Sequence, residues 1–339
     1  MLEAKLRFFE IQRCGFYRRA TPAPEFSGIS DTIDKLTAWA TDGREFVNTT
    51  TYEPNQDNDL LNTYFYSASK NATNGDSVLV LWNESPNDNG VLYGINPLDR
   101  PGTTTEMMAT DFGGMPAIPG APSYFWFVPE RNVFASIRFE HSVSGKANLD
   151  HYLNGYLANK SPYRVLDSDG KVTGFSPDGQ PNEENPTYYS KFVSKASKQE
   201  ELEAELLANM HRIRKLIKRE TLSYQLPDDR NIVERVFSQL LDNTPNFTDS
   251  RIITHEIQFQ PTETQLRGII RNYNERDSDT SMRNAGFMYS DGKIVMLNGI
   301  NVSMSIELDL NRFENQIVAP RDLLNAITAN RAQFLSILG

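Results

Sequence analysis

Residues 122–139 read PSYFWFVPERNVFASIRF, and this stretch decides the fold class of the 339-residue chain. Two runs of apolar, aromatic and β-branched residues, 122–128 and 133–139, flank a polar turn at 129–132, a pattern that predicts a β-hairpin. The first run is apolar on both faces, as in a central strand, whereas the second alternates in part. Such a hairpin must be covered on at least one face, and a helix is predicted directly after Gly145.

The N-terminal half extends this pattern outward from the hairpin. Short apolar runs bounded by polar turns predict strands, and apolar residues at helical spacing predict two helices, the first capped by Asp31. Residues 1–160 are therefore expected to form an α+β domain on an antiparallel, meander-rich sheet. The predicted strands are 2–17, 44–52, 61–70, 77–83 and 91–95, and the predicted helices are 31–43 and 146–158.

The composition changes between the two halves of the chain. Residues 161–186 are rich in Ser, Pro, Asp, Gly and Asn, which is typical of an exposed linker or hairpin between domains. Asp-Gly and Asn-Gly turns within 285–310 separate alternating apolar runs and predict a three-stranded meander. A helix opening at Pro320 completes a second α+β domain, 187–339. The sequence thus predicts two α+β domains with antiparallel meander-rich sheets and flanking helices.

Composition excludes several classes of protein. Apolar residues make up 39% and charged residues 23% of the chain, as in a globular protein, and no run approaches eighteen apolar residues, so a cytoplasmic protein that does not span a membrane is expected. The single cysteine, Cys14, excludes an intramolecular disulfide, and with only four histidines a Cys/His zinc module is excluded too. Cys14 is expected to be a buried structural thiol, and no cofactor is predicted.

A long amphipathic stretch carries the densest positive charge. Ser197 begins a capping-box pattern that predicts the longest helix of the chain, 197–221, acidic in its first half and basic in its second. The helix macrodipole favours this arrangement on any surface helix. Alternatively, the cations form a phosphate-binding strip in which Arg212, Lys215 and Arg219 repeat along one side of the helix.

A net charge of −10 means that the whole protein repels DNA, so binding requires a patch where the local field reverses sign. Besides the basic half of the long helix, two lysines upstream of it are candidates. Arg13, Arg18 and Arg19 also flank Phe16 and Tyr17 where the first strand leaves the sheet, a position that is more typical of a solvated strand end. The candidate nucleic-acid-binding residues are Arg212, Arg214, Lys215, Lys218, Arg219, Lys191, Lys195, Arg18 and Arg19.

No residue string amounts to a catalytic signature, and the phosphate-binding and metalloprotease motifs are absent from the sequence. Glu256, which follows His255, and Asp249 upstream could supply a pair of carboxylates for a divalent ion. A metal-dependent nuclease of the usual carboxylate type would also carry a lysine where Gln258 stands. A divergent nuclease therefore remains an alternative, and no catalytic residue is assigned.

Two regions of the chain resemble the RexA family of phage-exclusion proteins. The similarity lies in Gly15, Phe16 and Tyr17 after the first strand and in the run 122–128, and it continues through 134–139 and 149–153. It covers about fifty residues, most of them predicted core positions, and does not extend to the second half of the chain. The resemblance implies a cytosolic, dimeric, DNA-binding sensor that acts with a second protein encoded by the adjacent gene and has no established catalytic centre.

Three hypotheses follow for the function. The first is a non-enzymatic, sequence-independent DNA-binding component of a two-gene anti-phage defence (abortive infection) system, with a homodimeric protein and a second protein as partner. The second is the divergent nuclease, using Glu256 and neighbouring carboxylates. The third is a protein-interaction module in which aromatic residues and the loop 97–120 bind a phage or effector protein.

Overall fold

The computed structural model describes residues 1–54, 61–85, 93–102, 108–109, 116–139, 145–182, 187–197, 200–222, 251–275, 282–297, 302–310 and 317–338. Its strands are β1 (Leu2–Arg18), β2 (Thr63–Lys70), β3 (Ser77–Glu84), β4 (Tyr93–Ile95), β5 (Met108–Ala109), β6 (Ile118–Val128), β7 (Val133–Arg138), β8 (Arg164–Leu166), β9 (Val172–Phe175), β10 (Tyr188–Ala196), β11 (Ile213–Leu222), β12 (Arg251–Gln258), β13 (Met282–Tyr289), β14 (Ile294–Met296) and β15 (Ser303–Leu308). Its α-helices are α1 (Ile29–Thr41), α2 (Lys146–Asn159), α3 (Glu200–Ala208), α4 (Glu263–Glu275), α5 (Pro320–Ala329) and α6 (Arg331–Leu335).

The chain divides into two compact units. Unit 1 combines Met1–Ser197 with Ser303–Gly339, and unit 2 is Lys198–Val302. Unit 2 is therefore inserted between β10 and β15, two strands that both belong to the sheet of unit 1.

Strand β1 organises unit 1. One edge of β1 pairs with β15 through residues 2–7 and with β10 through residues 9–18, while the other edge pairs with β7. From β7 the sheet continues through β6 and β3 to β2, and β4 pairs with β6 and β5. The predicted hairpin is confirmed as β6 and β7, and residues 124–128 of β6 are buried between neighbouring strands, as expected of a central strand.

Helices cover both faces of this sheet. On one face, aromatic residues of β1, β6 and β7 pack against α1 and α2 in a core that includes Leu36, Phe134 and Leu153. On the other face, α5 packs against β2 and β3. The backbone N–H of Val318, just before α5, donates to the Tyr124 hydroxyl at 3.1 Å. Unit 1 is thus a three-layer arrangement of helices, an antiparallel sheet and helices.

Gly15 fixes the path of the chain where β1 ends. Its φ of +121° is unfavourable for other residues, and a Cβ at this position would lie 1.8 Å from the carbonyl oxygen of Ser27. This close approach lets the Phe16 N–H donate to the Phe26 carbonyl at 3.1 Å. Segment 25–27 is consequently held against the end of β1.

Unit 2 has its own sheet and core. The strand order is β12-β11-β13-β14, and all of these pairings are antiparallel. Helices α3 and α4 supply Leu206, Leu266 and Ile270, which pack with Phe287 of β13 in a separate apolar core. Each unit therefore buries apolar side chains of its own, which a separately packed unit requires.

The predicted helix 197–221 is wrong beyond Ala208. The α-helix ends there, a 3₁₀ turn at Met210–Arg212 follows, and the basic stretch is strand β11. The buried residues Ile213 and Ile217 are four positions apart, a spacing that falls on one face of either a helix or a strand. Pairing with β12 on one side and β13 on the other supplies the hydrogen bonds that select the strand, and these partners are remote in sequence.

Two other predictions of secondary structure fail. Residues 44–52 contain a 3₁₀ turn, Phe46–Thr49, because the Thr49 hydroxyl donates to the Phe46 carbonyl and accepts from the Phe65 N–H. The predicted three-stranded meander is a hairpin of β13 and β14 only. Its third strand, β15, pairs with β1 in unit 1 instead, and the Asn-Gly turn at 298–299 lies outside the described residues.

The boundaries of the two units differ from those of the predicted domains, 1–160 and 187–339. Segment 161–186 contains the hairpin of β8 and β9, whose Phe175 packs against Phe16 at 5.0 Å between ring centroids, so this hairpin belongs to unit 1. The α+β class with antiparallel sheets and flanking helices is confirmed. Among the described residues, no helix is both long enough and apolar enough to cross a membrane.

Candidate nucleic-acid interface

Two of the predicted basic residues in unit 2 are neutralised by carboxylates. The Arg212 guanidinium lies 2.5 Å from the Asp291 carboxylate and 5.3 Å from the centroid of the Tyr289 ring. The Lys215 ammonium lies 2.8 Å from the carboxylate of Glu256 on the neighbouring strand β12. These contacts reduce the positive field that Arg212 and Lys215 present to a phosphate.

The other cations of β11 do not complete a row. Arg214 is exposed and donates to the backbone carbonyls of His211 and Ile213 at 2.7 and 2.9 Å. Lys215 and Arg219 are four positions apart on strand β11, so they lie on one face of it, whereas Lys218 lies on the other face. Arg212 belongs to the 3₁₀ turn before the strand, so the three cations do not form the predicted row along a helix.

A second group of cations surrounds two stacked tyrosines in unit 1. Tyr17 of β1 stands directly opposite Tyr189 of β10, and their rings stack with centroids 5.9 Å apart. The Arg13 guanidinium lies 5.3 Å from the centroid of the Tyr17 ring and donates to the Tyr189 hydroxyl at 3.0 Å. Burial raises the pKa of Tyr17, whose hydroxyl accepts a hydrogen bond from the Cys14 N–H, so it is neutral at physiological pH.

Arginine and tyrosine meet again one residue further along the same strand pair. Arg18 stands opposite Tyr188, its guanidinium lies 5.1 Å from the centroid of the Tyr188 ring, and it donates to the Tyr188 hydroxyl at 2.8 Å. Arg19 follows at the end of β1 and is exposed. Because Arg18 follows Tyr17, the pair Arg18 and Tyr188 lies on the opposite face from Tyr17 and Tyr189.

Lys191 lies on the same face as the stacked tyrosines. It is exposed and stands opposite Gly15, which has no side chain to separate it from Arg13 on the adjacent strand. Lys195 differs because Glu10 stands directly opposite it. We leave Lys195 out and call this end of the β1 and β10 pair, with residues on both of its faces, the Arg–Tyr end. It consists of Arg13, Arg18, Arg19, Tyr188, Tyr189 and Lys191 together with the buried Tyr17.

The charge balance of the Arg–Tyr end sets it apart from β11. Within the described part of the chain, no carboxylate forms an ion pair with Arg13, Arg19 or Lys191. Arg13 and Lys191 lie on adjacent strands two register positions apart, and like charges so placed repel one another unless an anion joins them. The arrangement suits a ligand that carries several negative charges.

Cys14 takes no part in this surface. It is buried, and its Sγ lies 3.4 Å from the Thr32 hydroxyl. Burial raises the pKa of the Cys14 thiol to about 12, so the thiolate is not formed near neutral pH. This geometry agrees with the prediction of a buried structural thiol.

Of the two carboxylates in the nuclease hypothesis, only one lies within the described residues. Glu256 is the ion-pair partner of Lys215, while Asp249 lies outside the described residues. The described ranges contain no group of three or more His, Cys, Asp or Glu side chains that could hold a metal ion. For the third hypothesis, residues 103–107 and 110–115 of the loop 97–120 also lie outside the described ranges.

The fold and this surface define the chain as an α+β protein with a basic, tyrosine-rich end on the sheet of its larger unit. Comparison with models of known protein families gives no match, and comparison with curated proteins gives none either.

Sequence reasoning found only part of the Arg–Tyr end. Arg18, Arg19 and Lys191 were candidates, and Arg13 belonged to the same predicted cluster of cations and aromatic residues, but Tyr188 and Tyr189 were not recognised. Arg13 and Tyr189 are 176 positions apart, and only the pairing of β1 with β10 brings them together. A local signal existed in the two adjacent tyrosines, Tyr188 and Tyr189, that precede Lys191 in the sequence.

Proposed function

We propose that this protein binds nucleic acid through the phosphate backbone and that the Arg–Tyr end is its principal contact surface. The observation that carries the proposal is that Arg13, Arg19 and Lys191 have no ion-paired carboxylate within the described ranges, in a chain of net charge −10. In such a chain, a local excess of positive charge is what a polyanion would select. Phosphate contacts carry no base information, so the binding is sequence-independent.

Arginine suits this role for a geometric reason. Its planar guanidinium donates two parallel hydrogen bonds to a phosphate and can stack on an aromatic ring at the same time. The contacts of Arg13 with Tyr17 and Tyr189 restrict the guanidinium before a ligand arrives. Less side-chain entropy is then lost on binding, which favours affinity.

The experiment is a salt titration by fluorescence anisotropy with a short labelled duplex. The variant Arg13→Ala, Arg19→Ala, Lys191→Ala removes three positive charges from the Arg–Tyr end. The matched control, Lys35→Ala, Lys171→Ala, Arg321→Ala, removes three exposed charges elsewhere in unit 1. We expect the first variant to bind more than tenfold more weakly and to lose about 0.9 of the salt slope for each phosphate contact removed.

The control variant is expected to stay within about twofold of wild type, because loss of a remote charge changes only the general field. Equal affinities and equal salt slopes for both triple variants would remove the support for this surface. Absence of binding by the wild-type protein at low salt would remove the proposal altogether.

The resemblance to the RexA family supports a biological setting for this binding. We propose that the protein is a non-enzymatic, cytoplasmic component of a two-gene phage-exclusion system, acts as a homodimer and works with the product of the adjacent gene. Sedimentation at tens of micromolar, alone and with that product, tests the assembly. A monomer under both conditions would contradict it, and unchanged phage plating after deletion of the gene would contradict the defence role.

A further inference from the structure

Building on the proposed function, we propose that the Arg–Tyr end prefers single-stranded nucleic acid and stacks unpaired bases on aromatic residues that adjoin its cations. Aromatic contacts on the face that holds Arg18 and Tyr188 support this choice of ligand.

Three half-buried aromatic residues contact the buried Phe16 on this face, and a fourth contacts one of the three. Phe26 stacks on Phe16 with ring centroids 4.8 Å apart, and Phe175 lies 5.0 Å from Phe16. Tyr163 and Tyr188 contact the Phe26 ring edge-on at 5.4 and 5.3 Å. We call Phe26, Tyr163, Phe175 and Tyr188 the aromatic platform.

The residues of the platform are partly exposed to solvent. Aromatic residues of β6 such as Phe125 and Trp126 are fully buried, whereas each platform residue is only half-buried. A contiguous, partly exposed apolar surface rimmed by charge is typical of a binding site. Arg18 adjoins the platform through Tyr188, and the exposed Arg19 is the next residue of the chain, so an apolar ligand that also carries phosphates fits the surface.

Single-stranded nucleic acid has this combination of chemistry. Its bases are free to stack on aromatic side chains, and this stacking strengthens binding whatever the base sequence. The bases of a duplex are already stacked on one another and reach a protein only by their edges. A platform of aromatic rings therefore distinguishes the two ligands, whereas cations alone do not.

The charges next to the platform indicate where the phosphate backbone of the bound strand would run. The Tyr163 hydroxyl donates to the Asp31 carboxylate at 2.6 Å, so a negative charge lies beyond Tyr163. Arg18 contacts Tyr188 at the other side of Phe26. Phosphates should follow Arg18 and Arg19, with the bases turned toward Tyr188 and Phe26.

Tyr188 is the best position for a test because it joins the platform to the cations. Tyr188→Phe keeps the ring but loses the hydrogen bond from Arg18, and Tyr188→Ala loses both. Tyr188→Leu keeps apolar volume without an aromatic ring, and it replaces Tyr188→Ala in the comparison if that variant is unfolded by circular dichroism. Each variant is titrated with an oligothymidylate and with a duplex of equal length.

We expect wild type to bind the single strand at least tenfold more tightly than the duplex. Tyr188→Ala and Tyr188→Leu should weaken binding of the single strand at least fivefold more than binding of the duplex, while Tyr188→Phe should change the two affinities by a similar factor. An oligonucleotide containing 2-aminopurine gives an independent readout. Its fluorescence should be quenched by stacking on wild type and Tyr188→Phe and should stay unquenched with the variants that lack the ring.

The outcomes separate this inference from the proposed function. Equal affinity for single strand and duplex, both weakened by the triple variant of Arg13, Arg19 and Lys191, would overturn the inference and leave backbone binding intact. A single-strand preference that survives Tyr188→Leu would overturn the platform as its cause. No binding of either ligand would overturn both proposals.

Discussion

The guanidinium of Arg331 in the C-terminal helix α6 lies 2.8 Å from the carboxylate of Asp76, a side chain that is 1% exposed. The same carboxylate accepts a hydrogen bond from the indole N–H of Trp126 at 3.0 Å, and Arg331 also contacts Glu130 at 2.6 Å. One arginine thus joins the end of the chain to the turn before β3 and to the hairpin of β6 and β7.

Removal of Arg331 should destabilise unit 1 strongly. Arg331→Leu leaves the Asp76 carboxylate buried without its cation, and breaking a buried ion pair in this way costs about 3–5 kcal/mol. Glu130→Gln is the control, because the Glu130 side chain is 52% exposed and such a pair contributes about 1 kcal/mol or less. An equal loss in the free energy of unfolding, measured in urea, for the two variants would show that the Asp76 contact contributes no more to stability than the exposed Glu130 contact.

Unit 2 should be removable without unfolding unit 1. The Ser197 N–H donates to the Phe8 carbonyl at 3.0 Å, and Ser303 pairs with Arg7, so the two ends of the insertion leave from neighbouring positions on one edge of β1. We expect a chain with residues 198–302 replaced by a short Gly/Ser linker to fold. Trp82 and Trp126, both fully buried in unit 1, report on this through blue-shifted emission. Red-shifted emission that does not change on adding denaturant would contradict the expectation.

Gly15 should tolerate no side chain. Its positive φ and the 1.8 Å distance from an added Cβ to the Ser27 carbonyl oxygen mean that Gly15→Ala must move backbone, at a cost of about 3 kcal/mol or more. Gly28→Ala is the matched control in the same region, since nothing lies within 4 Å of its added Cβ. Thermal unfolding of the two variants compares them, and a Gly15→Ala protein as stable as Gly28→Ala would show that the chain relaxes freely there.

Cys14 should be unreactive in the native protein. Burial raises its pKa from 9.0 to about 12, so the folded state retains the thiol proton that the unfolded chain loses above about pH 9. The free energy of unfolding is thus independent of this group below pH 9 and falls as the pH rises from 9 toward 12. At pH 9 a disulfide reagent should label native protein at least about 100-fold more slowly than unfolded protein. Similar rates in the two states would show that the thiol is accessible.

The part of the fold that local pattern specifies was predictable. Residues 122–139 form the expected hairpin, Gly145 precedes α2, and Pro320 opens α5, because each depends on neighbouring residues only. Strand pairing between remote segments was not predictable. The stretch after Ala208 becomes β11 only because β12 and β13 flank it.

The same distinction between local pattern and remote pairing applies to the candidate site. Arg18 and Arg19 were recognisable from the aromatic residues next to them in sequence. The contacts of Arg13 with Tyr189 and of Arg18 with Tyr188 depend on a register between β1 and β10 that no local pattern reveals. Ion pairing was equally hidden, because Asp291 and Glu256, which neutralise Arg212 and Lys215, are distant in the chain.

Nucleic-acid binding at the Arg–Tyr end is tested most directly by comparing two triple variants in one salt series. Arg13→Ala, Arg19→Ala, Lys191→Ala alters the Arg–Tyr end, and Arg212→Ala, Lys215→Ala, Arg219→Ala removes an equal number of charges from the region of β11. We predict that the first variant loses more than tenfold in affinity for oligonucleotide with a flatter salt slope, and that the second stays within about threefold of wild type. The opposite ranking, with both proteins folded, would place the interface on β11 and contradict the assignment.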